Sequence, residues 1–293
     1  FRSIEHVKRY TTTGMATDQG KTSNMHALGI IAETAGVKMG SLGTTTFRPP
    51  FTPLTFGAIV GRNVGNFFDI TRKTAMHEWH VSNNAEFENV GQWKRPWYYP
   101  KNNEDMHQAV QRESLAARES AGILDASTLG KIDIQGTDAS EFLNRVYTNA
   151  WSKLAIGKCR YGLMLNEDGM VYDDGVTTRI GENHYIMTTT TGGAANVLGK
   201  LEDYLQTEWP ELDVYLTSVT DHYSTASICG PNSKKILMKL FPDVKFDDEN
   251  FPHMSFQNAS LDKVNCRIMR ISFTGEHSYE INIEAKYGKS LWE

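Results

Sequence analysis

The sequence predicts an α+β protein built from antiparallel or mixed sheets with helices covering one side. Three observations carry that expectation. From Asn103 onward, short alternating apolar runs are joined by hairpin turns. Single segments of helical period stand between them. Neither a Gly-x-Gly-x-x-Gly fingerprint nor a Walker loop occurs, which disfavours a doubly wound nucleotide fold.

Residues 1–105 show little periodicity, with Gly14, Gly20, Gly36, Gly40 and Gly43, threonine runs at 11–13 and 44–46, and Arg48-Pro49-Pro50 followed by Pro53. The one plausible helix spans 23–34, capped by Ser23 or Asn24, with Ala27, Leu28, Ile30 and Ile31 toward a partner. So much irregular chain is expected to serve as a linker or interface that wraps another surface. The cluster Trp93, Trp97, Tyr98 and Tyr99, beside Lys94 and Arg95, reads as an interface patch, a ligand wall or, most commonly for such residues, a plug under a loop.

Residues 104–120 have a helical period, with Val110, Leu115 and Ala116 inward and Gly122 as a stop. Strands follow at 123–126 and 131–135, then a helix over 139–148 in which Asp138 and Glu141 have capping-box spacing. The central stretch 158–192 reads as strands 160–165, 170–179 and 184–190, turned by Asn166-Glu167-Asp168-Gly169 and Gly181-Glu182-Asn183. After it come a helix over 193–207, strands at 213–219 and 223–228, a helix over 233–241, strands at 251–257 and 264–273, and a hairpin turn into 278–283.

The 293 residues are 40% hydrophobic, enough for a sizeable core. Thirty basic against thirty-five acidic residues, with no long run of one sign, argue against nucleic acid as a partner. Cys159, Cys229 and Cys266 lie in separate apolar runs and read as small buried hydrophobes, which fits a reducing cytoplasm. No stretch approaches the roughly 18 apolar residues of a membrane span. The chain begins at Phe1 and stops within an amphipathic run, so a piece of a longer polypeptide is expected.

Asp173-Asp174-Gly175 contradicts the strand around it, because Asp and Gly are depleted in strands and adjacent carboxylates point to opposite faces. As an isolated instance it reads as a bulge or turn with both acids in water. If the strand is real, one acid faces inward, and such conflicts concentrate at functional sites. Glu280 and Asn282 share the face opposite Tyr279, Ile281 and Ile283, by default a solvated one. Thr188 to Thr191 offer hydroxyls at a strand end, useful to a polar heterocycle but ordinary in strands. His77 and His80 lack a third ligand, so no metal site is expected, and no serine or cysteine stands in a nucleophile elbow.

Four ordered segments resemble the folate-binding aminomethyltransferase family, the T-protein of glycine cleavage and its relatives. They are Ile123-Leu124-Asp125-Ala126-Ser127-Thr128-Leu129-Gly130, Leu165-Asn166-Glu167-Asp168-Gly169 through Asp173-Asp174, Gly230-Pro231, and Phe273-Thr274-Gly275-Glu276 through Tyr279-Glu280-Ile281. Glu5-His6 through Lys8-Arg9-Tyr10-Thr11, Gly14-Met15-Ala16-Thr17-Asp18-Gln19-Gly20-Lys21, the run from Gly43 to Pro50 and Tyr147-Thr148-Asn149-Ala150-Trp151-Ser152-Lys153-Leu154 resemble the alpha subunits of heterotetrameric sarcosine oxidases.

That resemblance implies a T-protein-like fold cut before its C-terminal barrel, with 1–105 following a missing dinucleotide-binding half and 106–293 forming an incomplete folate domain. It implies tetrahydrofolate as the ligand of this chain, FAD, FMN and NAD elsewhere, and beta, gamma and delta subunits as partners. Asp174 matches the aspartate at the folate nitrogen that receives the one-carbon unit, and Glu280, not Glu276, matches the glutamate that grips the pterin edge. Tyr185, Leu129 and Thr189 match further folate-contacting positions, where relatives often carry methionine in place of Leu129 and asparagine in place of Thr189. The implied chemistry traps the imine from sarcosine oxidation as 5,10-methylenetetrahydrofolate and leaves glycine. Two other readings are a flavin-independent aminomethyltransferase or demethylase and a non-catalytic assembly scaffold.

Overall fold

The computed structural model describes every residue except Arg2, Pro50, Phe51, Pro53, Asn63, Asn66, Phe67 and Phe68. Pro50 and Pro53 of the expected proline-rich run therefore lie outside the described residues. The chain forms two compact units, Phe1–Ile70 and Thr71–Glu293.

The first unit holds helices α1 (Ile4–Thr11), α2 (Ser23–Ala35) and α3 (Phe56–Val60). α2 matches the one predicted helix, but neither Ser23 nor Asn24 caps it. Asp18 does the work instead, its carboxylate accepting from the Ser23 amide at 2.8 Å and from the Thr22 amide at 3.1 Å. Those bonds, the Ser23 one foremost, hold the Asp18 carboxyl far below its ordinary range. Leu28 and Ala32 of α2 are buried, whereas Ile30, expected to face a partner, is exposed. The second threonine run is pinned to α1. The Glu5 carboxylate accepts from the Thr46 amide at 2.9 Å, and buried Lys8 donates to Glu5 and to the Thr46 carbonyl, both at 2.8 Å.

The second unit begins well before the boundary expected at residue 105. Its helices α4 (His77–Ser82) and hairpin strands β1 (Glu86–Val90) and β2 (Trp93–Tyr98) join the later chain through polar and ring contacts too specific to appear as a periodicity. His80 and Thr74 hydrogen-bond Asp125, and Trp79 meets Trp292 edge-on. α5 (Met106–Glu119) follows, with the Asp105–Gln108 capping box complete. Its predicted inward residues Val110 and Leu115 are exposed and Ala109 is the buried one, because this helix touches its neighbours through a narrow small-residue edge.

Two five-stranded antiparallel sheets then form. One runs β10-β11-β12-β9-β3, from β3 (Gly122–Asp125), β9 (Tyr223–Cys229), β10 (Ser255–Leu261), β11 (Val264–Arg270) and β12 (Ser278–Glu284). The other runs β5-β6-β7-β4-β8, from β4 (Gly130–Gln135), β5 (Cys159–Leu165), β6 (Val171–Gly181), β7 (His184–Thr189) and β8 (Tyr215–Ser218). Helices α6 (Ala139–Val146) and α7 (Ala194–Asp203) accompany the second sheet, and α8 (Ser233–Leu240) and α9 (Gly288–Trp292) the first. The predicted Asp138–Glu141 capping box on α6 is not made. The Asp138 carboxylate accepts from the Asp213 amide at 2.9 Å, so a long-range partner outcompetes the local one.

Each sheet has its own core. Tyr279, Ile281 and Ile283 pack with Leu237, Phe241 and Trp292 on the first. Ile132, Ile134, Tyr185 and Met187 pack with Phe142, Leu143, Val197 and Leu201 on the second. A third cluster bridges the sheets: Cys159 and Val176 of one meet Met269, Ile271 and Phe256 of the other, and Thr178 Oγ1 donates to Met269 Sδ at 3.3 Å. The seam is stitched where the Cys159 amide donates to the Met254 carbonyl at 2.8 Å and the Phe256 amide to Gly157 at 3.1 Å. Among the described residues no helix is long and apolar enough to cross a membrane.

Candidate folate-binding site

The bridging cluster fixes which way each strand faces. Side chains alternate along a strand, so Asp174 shares its face with Val176 and Thr178, which meet the other sheet. Asp173 points the opposite way. It is buried, and its carboxylate accepts from Thr190 Oγ1 at 2.6 Å and the Thr190 amide at 3.2 Å. Burial pushes the Asp173 carboxyl up, against the pull of those bonds. The Asp-Asp-Gly conflict thus resolves as a true strand with one inward acid, not as a turn with both acids in water. A register irregularity opposite Met164 and Leu165 accommodates it.

Asp174 is partly exposed and accepts one hydrogen bond, from Tyr161 Oη on the neighbouring strand at 2.8 Å. Tyr161 and Val176 are register partners, which sets the tyrosine diagonally from the acid.

Glu280 lies on β12, paired with Met269 on one side and Ser227 on the other. Tyr279 and Ile281 enter the helix-covered core, so Glu280 and Asn282 face the other sheet. Their expected solvated face is in fact covered: Asn282 is buried, its Oδ1 accepting from Thr225 Oγ1 at 2.7 Å. Burial pushes the Glu280 carboxyl above the usual carboxylate range, and the charge of Lys131 opposes it. Among the described residues nothing donates a hydrogen bond to this carboxylate. Asn282 Nδ2, on the same face, is buried and has no partner among the described residues.

The remaining predicted residues divide. Leu129, partly exposed, ends the crossing from the first sheet to the second, and its carbonyl accepts from Lys131 Nζ at 2.9 Å. Tyr185 and Thr189 face away from Asp174. Tyr185 is fully buried in the helix-side core with Met187 and Ile134, and Thr189 points to the Gly130 side, where a Cβ on Gly130 would stand 2.0 Å from its Oγ1. Neither reaches the inter-sheet space, because the strand period puts odd-numbered β7 residues on the core face. The threonine run is spent internally: Thr188 Oγ1 meets the Val176 amide at 2.9 Å, Thr190 holds Asp173, and Thr191 meets Thr128 at 3.0 Å.

Sequence reasoning passed over Tyr161, Lys131 and a buried chain from Tyr99 Oη to His80 Nδ1 (2.7 Å), and from His80 Nε2 to Asp125 (3.0 Å). A lysine inside the alternating run Gly-Lys-Ile-Asp-Ile was the visible signal for Lys131. His80 belongs to that structural chain, and among the described residues no cluster could hold a metal ion. An open cavity of about 640 Å³ lies apart from Asp174, lined by Arg118, His253, Arg270, His277 and Ser278, with Arg118 paired to Glu276 at 2.9 Å.

The sequence model of the GCVT N-terminal domain matches residues 76–293, and that of the sarcosine oxidase A3 domain matches residues 1–62. Sarcosine oxidase subunit alpha of Corynebacterium sp. (strain U-96) is 53% identical over 100% of this chain and 31% of its own length; that of Rhizobium meliloti (strain 1021) is 47% identical over 99% and 30%. The chain thus spans about three-tenths of those relatives. The crystal structure of glycine cleavage system aminomethyltransferase T from Bartonella henselae superposes with a TM-score of 0.64 at 24% identity, covering 75% of this chain and 56% of that one. That likeness establishes the antiparallel α+β fold as T-protein-like. With the domain model spanning more than half of its residues, the chain belongs to the GCVT family of aminomethyltransferase-like proteins, preceded by a sarcosine oxidase A3 segment.

Proposed function

We propose that this chain is the folate-dependent one-carbon transfer module of a sarcosine oxidase. One observation carries the reading: two carboxylates from different sheets, Asp174 and Glu280, face the same inter-sheet space, and Glu280, partly buried, has no hydrogen-bond donor among the described residues. An acceptor left open in this way suits a ligand edge that brings adjacent N–H donors, since a carboxylate accepts two charge-assisted hydrogen bonds from such an edge. The pterin of tetrahydrofolate has that edge. Bound there, the folate supplies the amine that takes up a one-carbon unit.

The chain's own residues hold and move a proton. Glu280 anchors the ligand, Tyr161 fixes the direction of the Asp174 carboxylate, and Asp174 orients the attacking amine and accepts its proton. Leu129, beside the Lys131 anchor, lines the approach. The product would be 5,10-methylenetetrahydrofolate, with glycine released from the sarcosine-derived imine. Oxidation itself, with FAD, FMN and NAD, belongs in this reading to other parts of a heterotetramer with beta, gamma and delta subunits in the cytoplasm. The Corynebacterium and Rhizobium relatives are named sarcosine oxidase subunit alpha, which supports a place beside other subunits of a sarcosine oxidase.

Calorimetric titration with tetrahydrofolate tests it. Wild type should bind saturably, Glu280→Gln should lose most of the affinity while keeping its Tm, and Asp174→Ala should slow one-carbon transfer by about 10²- to 10⁴-fold. A folded wild type that does not bind, or a Glu280→Gln variant that binds equally well, would overturn the reading.

A further inference from the structure

Lys131 is an unusual residue for the middle of an antiparallel sheet. It is 2% exposed, and its neighbours Ile132 and Ile134 put the alternate face of β4 into the helix-side core. Lys131 therefore lies on the inter-sheet face, in register with Thr188 and on the same face as Asp174 and Thr178. The ammonium is held in place by two carbonyls of the crossing that precedes β4, Ser127 at 3.2 Å and Leu129 at 2.9 Å. That crossing is itself locked. The Ser127 amide donates to Asp125 at 3.0 Å, and Ser127 Oγ accepts from the Thr225 amide at 2.9 Å. An ammonium has three donors, and neither carbonyl supplies a countercharge.

The countercharge comes from carboxylates on three other elements. Glu280 of β12 is the strongest influence that keeps Lys131 charged, followed by Asp125 and Asp221. Asp221 is engaged elsewhere, by Arg72 at 2.8 Å, and Asp125 by His80 at 3.0 Å. Glu280 has no such partner: burial raises it, and Lys131 opposes that rise. Cys159, which also feels Glu280, has its thiol pushed up to about 11 by burial and stays neutral.

We propose that Lys131 is a positioning residue for the folate site: its fixed, buried ammonium keeps Glu280 ionised, so that Glu280 can accept two hydrogen bonds from a ligand bearing adjacent N–H donors. The inference rests on the folate reading for the identity of that ligand, but not for the coupling. Burial lowers Lys131 to about 8, so the countercharge is present below that pH and is lost above it.

The test measures the Glu280 carboxyl directly by carbon-13 NMR, assigned with Glu280→Gln, in wild type, Lys131→Met and Lys131→Arg, alongside titration with tetrahydrofolate from about pH 6 to 9. Removing one member of a buried charge pair destabilises a fold, so Lys131→Gln, which keeps donors for the Ser127 and Leu129 carbonyls, is measured as a second neutral variant beside Lys131→Met, which preserves much of the volume. In both, the Glu280 midpoint should move up by a unit or more and the affinity near pH 7 should fall by about tenfold, recovering as pH rises and Glu280 ionises. Lys131→Arg, which stays charged, should keep both the wild-type midpoint and the wild-type affinity near pH 7. A Glu280 midpoint unmoved in Lys131→Met overturns the inference, whatever happens to folate. A shifted midpoint in a chain that does not bind tetrahydrofolate upholds the coupling and rejects the folate reading instead.

Discussion

Gly175 separates the acid that is buried from the strand it pairs with, and replacing it by alanine perturbs both at once. A Cβ there would stand 1.9 Å from the Thr188 carbonyl oxygen and 2.7 Å from its carbon, both backbone atoms of the adjacent strand. Ordinary contact begins near 3.4 Å, so β6 and β7 must part by about 1.5 Å. They cannot do so freely. Thr188 Oγ1 holds the Val176 amide at 2.9 Å and carbonyl at 3.1 Å, and Thr190 holds Asp173 from the same side. Overpacking against a backbone costs about 1–3 kcal/mol and each strained hydrogen bond about 1 kcal/mol more, which together come to roughly 4 kcal/mol. For a unit of this size that lowers Tm by roughly 10 °C. Differential scanning calorimetry of Gly175→Ala against Gly192→Ala is the assay, because a Cβ at Gly192 meets nothing within 4 Å. Gly192→Ala should melt close to wild type. If both variants melt together, the inter-strand approach at Asp173-Asp174-Gly175 is not as close as argued, and the placement of Asp174 falls with it.

Other outcomes follow from neighbouring features. His80→Ala removes one hydrogen bond from the buried Asp125 carboxylate, which keeps those of Thr74 and Ser127, and takes away the partner of Tyr99 Oη, at a cost of about 3 kcal/mol read by urea unfolding. Burial raises the Asp125 carboxyl, yet the bonds from His80, Ser127 and Thr74 outweigh it and hold it below the ordinary carboxylate value. That stability is present above about pH 4 and lost as the pH falls through the lowered value. The gap between wild type and His80→Ala should therefore narrow in acid; a constant gap refutes the assignment. Tyr161→Phe removes, from a half-exposed side chain, the one donor to the Asp174 carboxylate among the described residues, so Tm should stay within about 2 °C while one-carbon transfer slows about tenfold. An unchanged transfer rate would mean that Asp174 needs no orienting partner. Cys159 and Cys266 are buried with their thiols pushed up to about 11, so iodoacetamide at about pH 8 should leave both unmodified in the native protein, as mass spectrometry would show; rapid native labelling of either contradicts the packing.

The sequence by itself determined the elements of the second unit and their order from α5 onward. The three strands of the central stretch, the helices after Gly136 and Gly230, and the last hairpin appear where alternation, helical period and turn residues put them, because these are local signals that each sheet's pairing then reinforces. Motif order was equally legible, and it led to the GCVT family. Which face of each strand is covered was not, since alternation fixes that Asp174 and Thr178 agree and that Asp173 differs, but not which side meets the other sheet. The resemblance put Tyr185 and Thr189 at the ligand, whereas Tyr185 packs in the helix-side core and Thr189 faces Gly130. Long-range partners were also invisible: Asp138 pairs with the Asp213 amide and not within its helix, and His80 of the seemingly irregular first third completes a buried chain with Asp125. Lys131 shows the same division most clearly. Its position on a strand is a sequence fact, whereas its burial on the face that meets the other sheet arises only when two sheets, each with its own core, are closed against one another.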